Sequence, residues 1–438
     1  MSIDNPFFHR GAIRRAEEFH GRRAEIAQIL GLCRNGQSVS IVGPRRIGKS
    51  SLLLHLSRPV TRAAYELGQD RALFATVDCQ ELGGSPPEEV YEALLTSIAD
   101  ALSSTPLKLE NLRRPGTYRA LDRVLNTIYK ANVSVIVLLD EFELLAANAR
   151  LTPYFFARLR GLTTKYGLAF LTASQRPLIS ISADEQILSS PFFNIFVSLT
   201  LGLFSEDEAI TLIDRRLRDT GVTFTPELRA QIFKLAGYHP CFLHIAGYHA
   251  FQALTSNQFD AANSIASWLD MPVEVEAESH FTYLWRNLSP EEQYSLAIMD
   301  GPIETMRQLE QQCLIVRENN DYRYSSEVLW RFIRRQEVKD LIQAGPFVVD
   351  LQRHQVRAEG EEIALTASQF DLLTRLAQQP GQVVPSAQLE IAVWGDALVD
   401  DPDRLKTLIK RLRRAMKPFG AWIVSERGIG YTLREPGA

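Results

Sequence analysis

The sequence predicts a multidomain chain: an α/β domain built on a parallel sheet, a helical domain, a winged helix and a C-terminal α+β domain. Three observations predict it. From Gln37 to about Gly202, short runs rich in Val, Ile, Leu and Phe alternate with amphipathic stretches. Near-continuous apolar strands separated by helices read as a parallel sheet covered on both faces. From Ser205 to about Asp270 the pattern is helical. From Glu276 to Ile342, short helices are followed by a hairpin signal at Cys313 to Tyr324, with Asn319-Asn320-Asp321 as its turn. Beyond Gly345 come a strand-rich start, three helical stretches and a terminal hairpin. The chain has 438 residues, 45% hydrophobic and 23% charged. That composition suits several folded domains and excludes a globally disordered chain.

Taken in order, the expected segments are residues 1–36 (N-terminal), 37–203 (α/β core), 204–275 (helical), 276–342 (winged helix) and 346–438 (C-terminal), with Gln343 to Pro346 as the linker. The core strands are expected at Ser38 to Val42, Ala72 to Val77, Val133 to Leu139, Leu168 to Leu171 and Ile195 to Leu199. Ser205-Glu206-Asp207-Glu208 has the form of a capping box, and Thr225-Pro226 pairs an N-cap with a proline at the first helical position. Cys33, Cys79, Cys241 and Cys313 form no CxxC pair and no zinc spacing, so they read as small buried hydrophobes of a protein kept in a reducing cytosol. Met1 to Arg15 carries no apolar signal segment, and no stretch approaches the ~20 apolar residues that span a bilayer. A soluble, cytoplasmic protein with no membrane partner is expected. The net charge of −4 advertises no global field for nucleic acid, so charge must be read locally.

Gly43-Pro44-Arg45-Arg46-Ile47-Gly48-Lys49-Ser50 is G-x-x-x-x-G-K-S between a strand and the helical run that starts at Ser51. Glycines let backbone N–H groups wrap a phosphate, and the helix N-terminus adds positive potential. The loop Gly43 to Ser51 is therefore expected to cradle ATP, with Lys49 on the β- and γ-phosphates and Ser50 on Mg²⁺. Val135 to Leu139 is a buried strand that ends in Asp140 and Glu141. Asp140 would hold Mg²⁺ through its water shell, and Glu141 would deprotonate the attacking water. Leu168 to Ser174 ends in hydroxyls, and Ser174 or Thr172 suits a γ-phosphate sensor. The strand carrying Val77-Asp78 lies between the two motifs, and an inserted strand together with an acidic base after the metal aspartate marks the additional-strand branch of P-loop NTPases.

These motifs, with Phe19-His20-Gly21-Arg22, LLDEFE and LTASQRPL, resemble the prokaryotic STAND-type ATPases, relatives of the AAA+ proteins. The resemblance implies that Phe19, Gly21 and Arg22 lie near the adenine. Ala236 to Leu243 resembles the G-x-P motif of the family's helical lid, with one extra residue before the proline. It implies that His239 and Pro240 sense the nucleotide, and that a winged helix follows the lid. Arg158 and Arg160, on a helix after Glu141, are candidates for an arginine acting in trans, though solvated helix charges explain them better.

Residues 404 to 417 (RLKTLIKRLRRAMK) carry seven basic residues and no acid. Leu405, Leu408, Ile409, Leu412 and Met416 fall on one helical face. Thr407, Lys410 and Arg414 lie opposite, flanked by Lys406, Arg411 and Lys417. Such a helix suits the major groove and its phosphates. With Trp394-Gly395 before it and Arg427-Gly428-Ile429-Gly430-Tyr431 after it, the C-terminal stretch resembles the OmpR/PhoB-type winged-helix DNA-binding domain. The resemblance implies that Thr407, Lys410 and Arg411 reach base edges and that Arg427 sits on the wing. No phosphoacceptor receiver pattern is present.

The combined expectation is an ATP-dependent regulator of transcription that binds double-stranded DNA and changes its homo-oligomeric state with nucleotide. Two other readings stay open here. One is an AAA+-like ATPase that remodels or loads DNA, and the other is a defence-type nucleotide switch.

Overall fold

The computed structural model describes residues 4–7, 11–103, 105, 116–180, 192–256, 262–319, 321–395 and 403–436. The chain divides into two compact units, residues 1–277 with 311–313, and residues 278–310 with 314–438.

The first unit is built on five parallel strands, β1 (Ser38–Val42), β2 (Ala72–Asp78), β3 (Ser134–Asp140), β4 (Ala169–Ser174) and β5 (Phe196–Thr200). Their spatial order is β2-β3-β4-β1-β5. The strand inserted between the phosphate-loop strand and the strand carrying Asp140 is β4. Strand β2, which carries Val77 and Asp78 and is expected there from its place between the two motifs in sequence, instead forms an edge of the sheet. An inserted strand is still what the additional-strand class requires. Strand β3 shows why the apolar runs are continuous. Val135, Val137 and Leu139 pack into the core on one face, and Ile136 and Leu138 into the core on the other. Helices α1 (Arg23–Arg34), α2 (Lys49–Leu56) and the short α3 (Pro59–Ala63) precede β2. They are followed by α4 (Pro87–Ser103), α5 (Tyr118–Lys130), α6 (Phe142–Ala146) and α7 (Pro153–Tyr166). The apolar residues of α4, α5 and α7 form the first core with that face of the sheet, and those of α1 and α2 form the second. Phe142, Phe156, Phe170 and Phe192 meet beneath α6, with Phe192 centred 5.4 Å from Phe170 and 5.6 Å from Phe156. Each such pair contributes about 0.5–1.5 kcal/mol beyond its burial and braces the segment that carries Asp140 and Glu141.

Strand β5 departs from the expectation of burial on both faces. It is an edge strand, paired only with β1, and Val197 is 36% exposed.

Helices α8 (Glu206–Leu217), α9 (Pro226–Ala236), α10 (Pro240–Thr255) and α11 (Ala262–Trp268) follow, and α12 (Asp270–Asn287) carries the boundary between the units. The capping box forms as the sequence predicts. Glu208 N donates to Ser205 Oγ at 3.2 Å, and Ser205 N donates to Glu208 Oε2 at 3.0 Å. Thr225 caps α9 through Leu228 N.

The second unit contains α13 (Pro290–Ile298), α14 (Ile303–Gln311), the hairpin β6 (Ile315–Glu318) and β7 (Asp321–Tyr324), and α15 (Glu327–Ile333). In the predicted turn, Asn320 lies outside the described residues. The sequence expects a linker at Gln343 to Pro346, and the structure replaces it with a hairpin. Strand β8 (Leu341–Ala344) pairs antiparallel with β9 (Phe347–Asp350), and β10 (Gln355–Ala358) and β11 (Glu361–Ile363) complete a four-stranded sheet. Gly345 turns that hairpin with φ +58° and lies so close to Trp422 that a Cβ would sit 2.3 Å from the indole ring. A cut after Gln343 would therefore remove most of a strand. Helices α16 (Ala367–Ala377), α17 (Ser386–Trp394) and α18 (Arg404–Ala415) follow, with strands β12 (Val384–Pro385), β13 (Ile423–Glu426) and β14 (Gly430–Leu433) in the order β12-β14-β13. All four cysteines are free, and Cys33, Cys79 and Cys313 are buried.

Candidate nucleotide site and DNA interface

The phosphate loop leaves β1 at Gly43, whose N–H donates to Ser174 O at 3.1 Å. A Cβ at Gly43 would meet Leu201 O at 2.7 Å, so only glycine lets the loop pass between β4 and the exit of β5. Arg46 (φ 65°) and Gly48 (φ 105°) take left-handed conformations that curl the loop before α2 begins at Lys49. Lys49 is buried, and its Nζ donates to Gly43 O at 2.7 Å and Pro44 O at 2.9 Å. Burial lowers its pKa, while Glu143, Asp140 and Glu141 act to raise it. Arg45 and Arg46 stand exposed at the loop's tip, and Ile47 anchors it in the core. Ser50, half-buried, lies on the first turn of α2. Ser51 is next in the loop, and its hydroxyl accepts from Ile13 N at 3.0 Å and ties the N-terminal segment to α2.

Opposite the loop, β2 and β3 end in register at Asp78 and Asp140. Asp140 Oδ1 accepts from Glu141 N at 3.0 Å, and Glu141 is held at φ 49° at the start of α6. Burial raises the Glu141 pKa, and Glu143, Asp140 and Asp78 raise it further. Glu143 was not singled out from the sequence. Its Oε1 accepts from Gln175 N at 3.2 Å, and it is the first of the acids opposing Lys49 deprotonation. The signal was present as the third acid of LLDEFE, three residues after Asp140.

Ser174 stands beside the phosphate loop, paired with Val42. Its hydroxyl donates to Arg176 O at 2.8 Å, within its own turn. Thr172 is fully buried and paired with Ser40 inside the sheet, so it has no access to a phosphate. The helical turn before α10 approaches the loop from the other side. His239 caps α10 and packs on Phe242 at 4.5 Å, and Pro240 occupies the first helical position. The Arg46 guanidinium acts electrostatically on Cys241, and Phe204 N donates to Tyr238 O at 2.9 Å. The structure therefore brings His239 and Pro240 into the neighbourhood of the loop.

Phe19 stacks on His55 at 4.1 Å and 10°. Both line a cleft of about 760 Å³ together with Gly21, Glu25, Leu203 and Glu208. Gly21 is fixed there by close approach, since a Cβ would meet Glu208 Oε1 at 2.8 Å. Arg22 follows in the same segment, with its side chain turned inward. Its side chain is buried and donates to Gly202 O at 2.6 Å, Ile47 O at 3.5 Å and Glu25 Oε1 at 3.1 Å, with its guanidinium 4.6 Å from the centre of the Phe204 ring. It supports the loop and the β5 exit from behind. Arg158 is held 4.9 Å from the Tyr118 ring centre and 4.3 Å from that of Tyr154, contacts that account for it within its own unit. Arg160 is exposed.

In the C-terminal domain, Leu405, Leu408, Ile409 and Leu412 bury one face of α18, and Met416 closes the stripe. Lys406, Thr407, Lys410, Arg411 and Arg414 are exposed on the other, as is Arg427 on the β13–β14 wing. Lys406 pairs with Asp403 at 3.0 Å. Arg413, in the same basic run, turns away from this face. It donates twice to Ile423 O, at 3.0 and 2.7 Å, and once to Ser425 Oγ at 2.9 Å, so it fastens α18 to the wing. Gly430 keeps β12 against β14, because a Cβ there would lie 2.0 Å from Val384 O.

Fold and site together define a P-loop NTPase of the additional-strand class joined to a winged-helix DNA-binding domain. Residues 25–299 match the family model described as Novel STAND NTPase 2, more than half of the chain, and the protein belongs to that family. Residues 360–433 match the model described as the C-terminal domain of transcriptional regulatory proteins, the OmpR/PhoB-type domain. Two curated relatives are similar over a short part of the chain. The sensory transduction protein RegX3 of Mycolicibacterium smegmatis is 38% identical over 96 residues, 21% of this chain and 42% of that protein. The response regulator ArlR of Staphylococcus saprophyticus is 31% identical over 105 residues, 24% of this chain and 48% of that protein. The chain thus spans less than half the length of each. Among solved structures, the Walker-type ATPase PABY2304 of Pyrococcus abyssi superposes with a TM-score of 0.54 at 18% identity, over 75% of this chain and 99% of that one, a likeness of fold alone. Among the described residues, no helix is long and apolar enough to cross a membrane.

Proposed function

We propose that the protein is an ATP-dependent regulator of transcription whose nucleotide state controls oligomerisation and the binding of double-stranded DNA. The observation that carries the reading is the presence, on one chain, of a phosphate loop facing Asp140 and Glu141 and of a winged helix whose basic face is exposed. The loop amides and Lys49 bind the triphosphate, with the lysine leaving its bonds to Gly43 O and Pro44 O for phosphate oxygens. Mg²⁺ fits this donor set, since a hydroxyl (Ser50) and one carboxylate (Asp140) beside phosphates meet its preference for few protein ligands and retained water. Bound there, it would neutralise charge on the β- and γ-phosphates. Glu141 takes the proton of the attacking water, and its raised pKa makes it a stronger base than an exposed glutamate. Hydrolysis can be slow, as befits a switch.

Several DNA modules joined in one assembly raise each other's effective concentration. Full-length protein is therefore expected to form a larger oligomer with ATP and to bind its DNA more tightly, with a longer footprint. Sizing and footprinting with and without nucleotide test this. Equal mass and equal DNA affinity in both conditions would sink the switch.

The reader makes its own prediction. Arg411→Ala is expected to cost about 1–3 kcal/mol on a specific site if the guanidinium pairs with a guanine, with no change in melting temperature. Arg413→Ala is expected to lower the melting temperature of the domain and to weaken binding to all sequences alike, because the wing loses its anchor. Titration of matched and scrambled duplexes separates the two. Equal losses for Arg411→Ala on both duplexes would remove it from base reading.

A further inference from the structure

The sequence pattern places a flexible tether before the DNA-binding domain, and the structure shows a built joint there. Residues 334–340 lead from α15 directly into β8, and Gln343 Nε2 reaches back to Ile333 O at 3.3 Å. Beside this connection, α13 of the middle winged helix meets the β9–β10 turn of the C-terminal sheet through a polar network. Tyr294 Oη donates to Asp350 Oδ2 at 2.5 Å, and Asp350 is 5% exposed. The other oxygen of Asp350 accepts from Gln352 N and Arg353 N, both at 2.9 Å, so one buried carboxylate shapes the turn and holds the tyrosine. Arg353 returns to the winged helix, bonded to Asp300 at 2.7 Å, and Arg357 lies 3.6 Å from the same carboxylate.

Arg357 also donates to Ile298 O at 2.6 Å, the last residue of α13. A cation on the free carbonyls of a helix C-terminus satisfies an orphan acceptor and meets the negative end of the dipole. The ionic contacts are half-exposed and individually weak. The part-buried Tyr294–Asp350 bond, which rests on the buried Asp350 carboxylate, and the part-buried cap on α13 are less exposed to screening. Their environment agrees, since Arg353 holds the Asp300 carboxyl below its ordinary pKa, and burial and Asp350 push the Tyr294 phenol up to about 12.

We propose that the middle winged helix and the C-terminal DNA-binding domain are clamped into one rigid body by Tyr294, Asp300, Asp350, Arg353 and Arg357. The DNA reader is then carried wherever the winged helix moves, and is not released on a tether. Its basic face on α18 stays exposed within that body. The mechanical part stands by itself. The consequence for regulation rests on the function proposed above.

The test uses the full chain and the near-isosteric double variant Tyr294→Phe/Asp300→Asn. Neither substitution touches the nucleotide site or α18. Arg334, Arg335 and Lys339 make residues 334–340 a tryptic target, but cleavage requires that segment to open. Trypsin is expected to cut there slowly in the wild type and at least several-fold faster in the variant, read by mass spectrometry of the C-terminal fragment. The single Asp300→Asn variant is expected to fall between them, and it decides the matter if the double variant loses its fold. Equal cleavage rates at this segment in wild type and variants would overturn the clamp. In parallel, ATP stimulation of DNA binding is expected to be lost in the variant while ATP binding is retained, and retention of full stimulation would refute the proposed coupling. If wild-type DNA binding does not respond to ATP at all, the switch reading fails, and the protease arm still decides the clamp.

Discussion

Lys49→Ala is expected to abolish measurable ATP binding while leaving the fold intact. Lys49 is buried between the loop carbonyls it bonds and the acids Glu143, Asp140 and Glu141, which oppose its deprotonation in that order. Removing one partner from a buried ionic arrangement costs about 3–5 kcal/mol, because the remaining charge is left uncompensated. Here the remaining charge is a group of carboxylates facing the place a triphosphate must enter. At about 1.4 kcal/mol per tenfold, the loss is roughly two to three and a half orders of magnitude in Kd. The fold should persist with a lowered melting temperature, since the carboxylates are left uncompensated in the empty protein too, while the two carbonyls freed at Gly43 and Pro44 belong to the loop and can take water. Titration with a fluorescent ATP analogue measures the effect. Unchanged affinity would show that the loop does not hold the phosphates.

The features legible in the sequence are those written in local pattern. The G-x-x-x-x-G-K-S loop between a strand and a helix, the apolar run before Asp140, and the Ser205–Glu208 capping box all have their cause within a few residues, and all form as read. The basic and apolar faces of α18 follow from helical spacing in the same way. What escaped reading depends on partners distant in the chain. Gly345-Pro346 looks like a linker until Trp422 packs against it. Ile195 to Leu199 is as apolar as the inner strands, and only the sheet order makes β5 an edge. Arg22 and Arg413 sit inside functional motifs, yet their guanidinium groups are spent on backbone carbonyls brought close by the fold. A motif fixes which residue types occur together, and tertiary contacts decide which of them face the ligand.

That distinction bears on the base. Glu141→Gln is expected to keep ATP bound and to lower its hydrolysis by about 10²–10⁴, the usual worth of a positioned general base. The amide preserves side-chain volume and still accepts a hydrogen bond from water, but it cannot take the proton. Asp78, Asp140 and Glu143 crowd Glu141 with like charge and, after burial, keep its pKa raised. Neutralising it relieves that repulsion, so the variant should be as thermally stable as the wild type or more so, the sign expected where a site is arranged for chemistry at a cost in stability. Loss of turnover with gain of stability is a pair of effects that misfolding cannot produce. Single-turnover hydrolysis and thermal melting of the same preparation measure both. The ATP-bound assembly should accumulate in the variant. Undiminished turnover would move the role to another carboxylate, and Glu143, on α6 three residues after Asp140 and accepting from Gln175 N, is the residue to replace next.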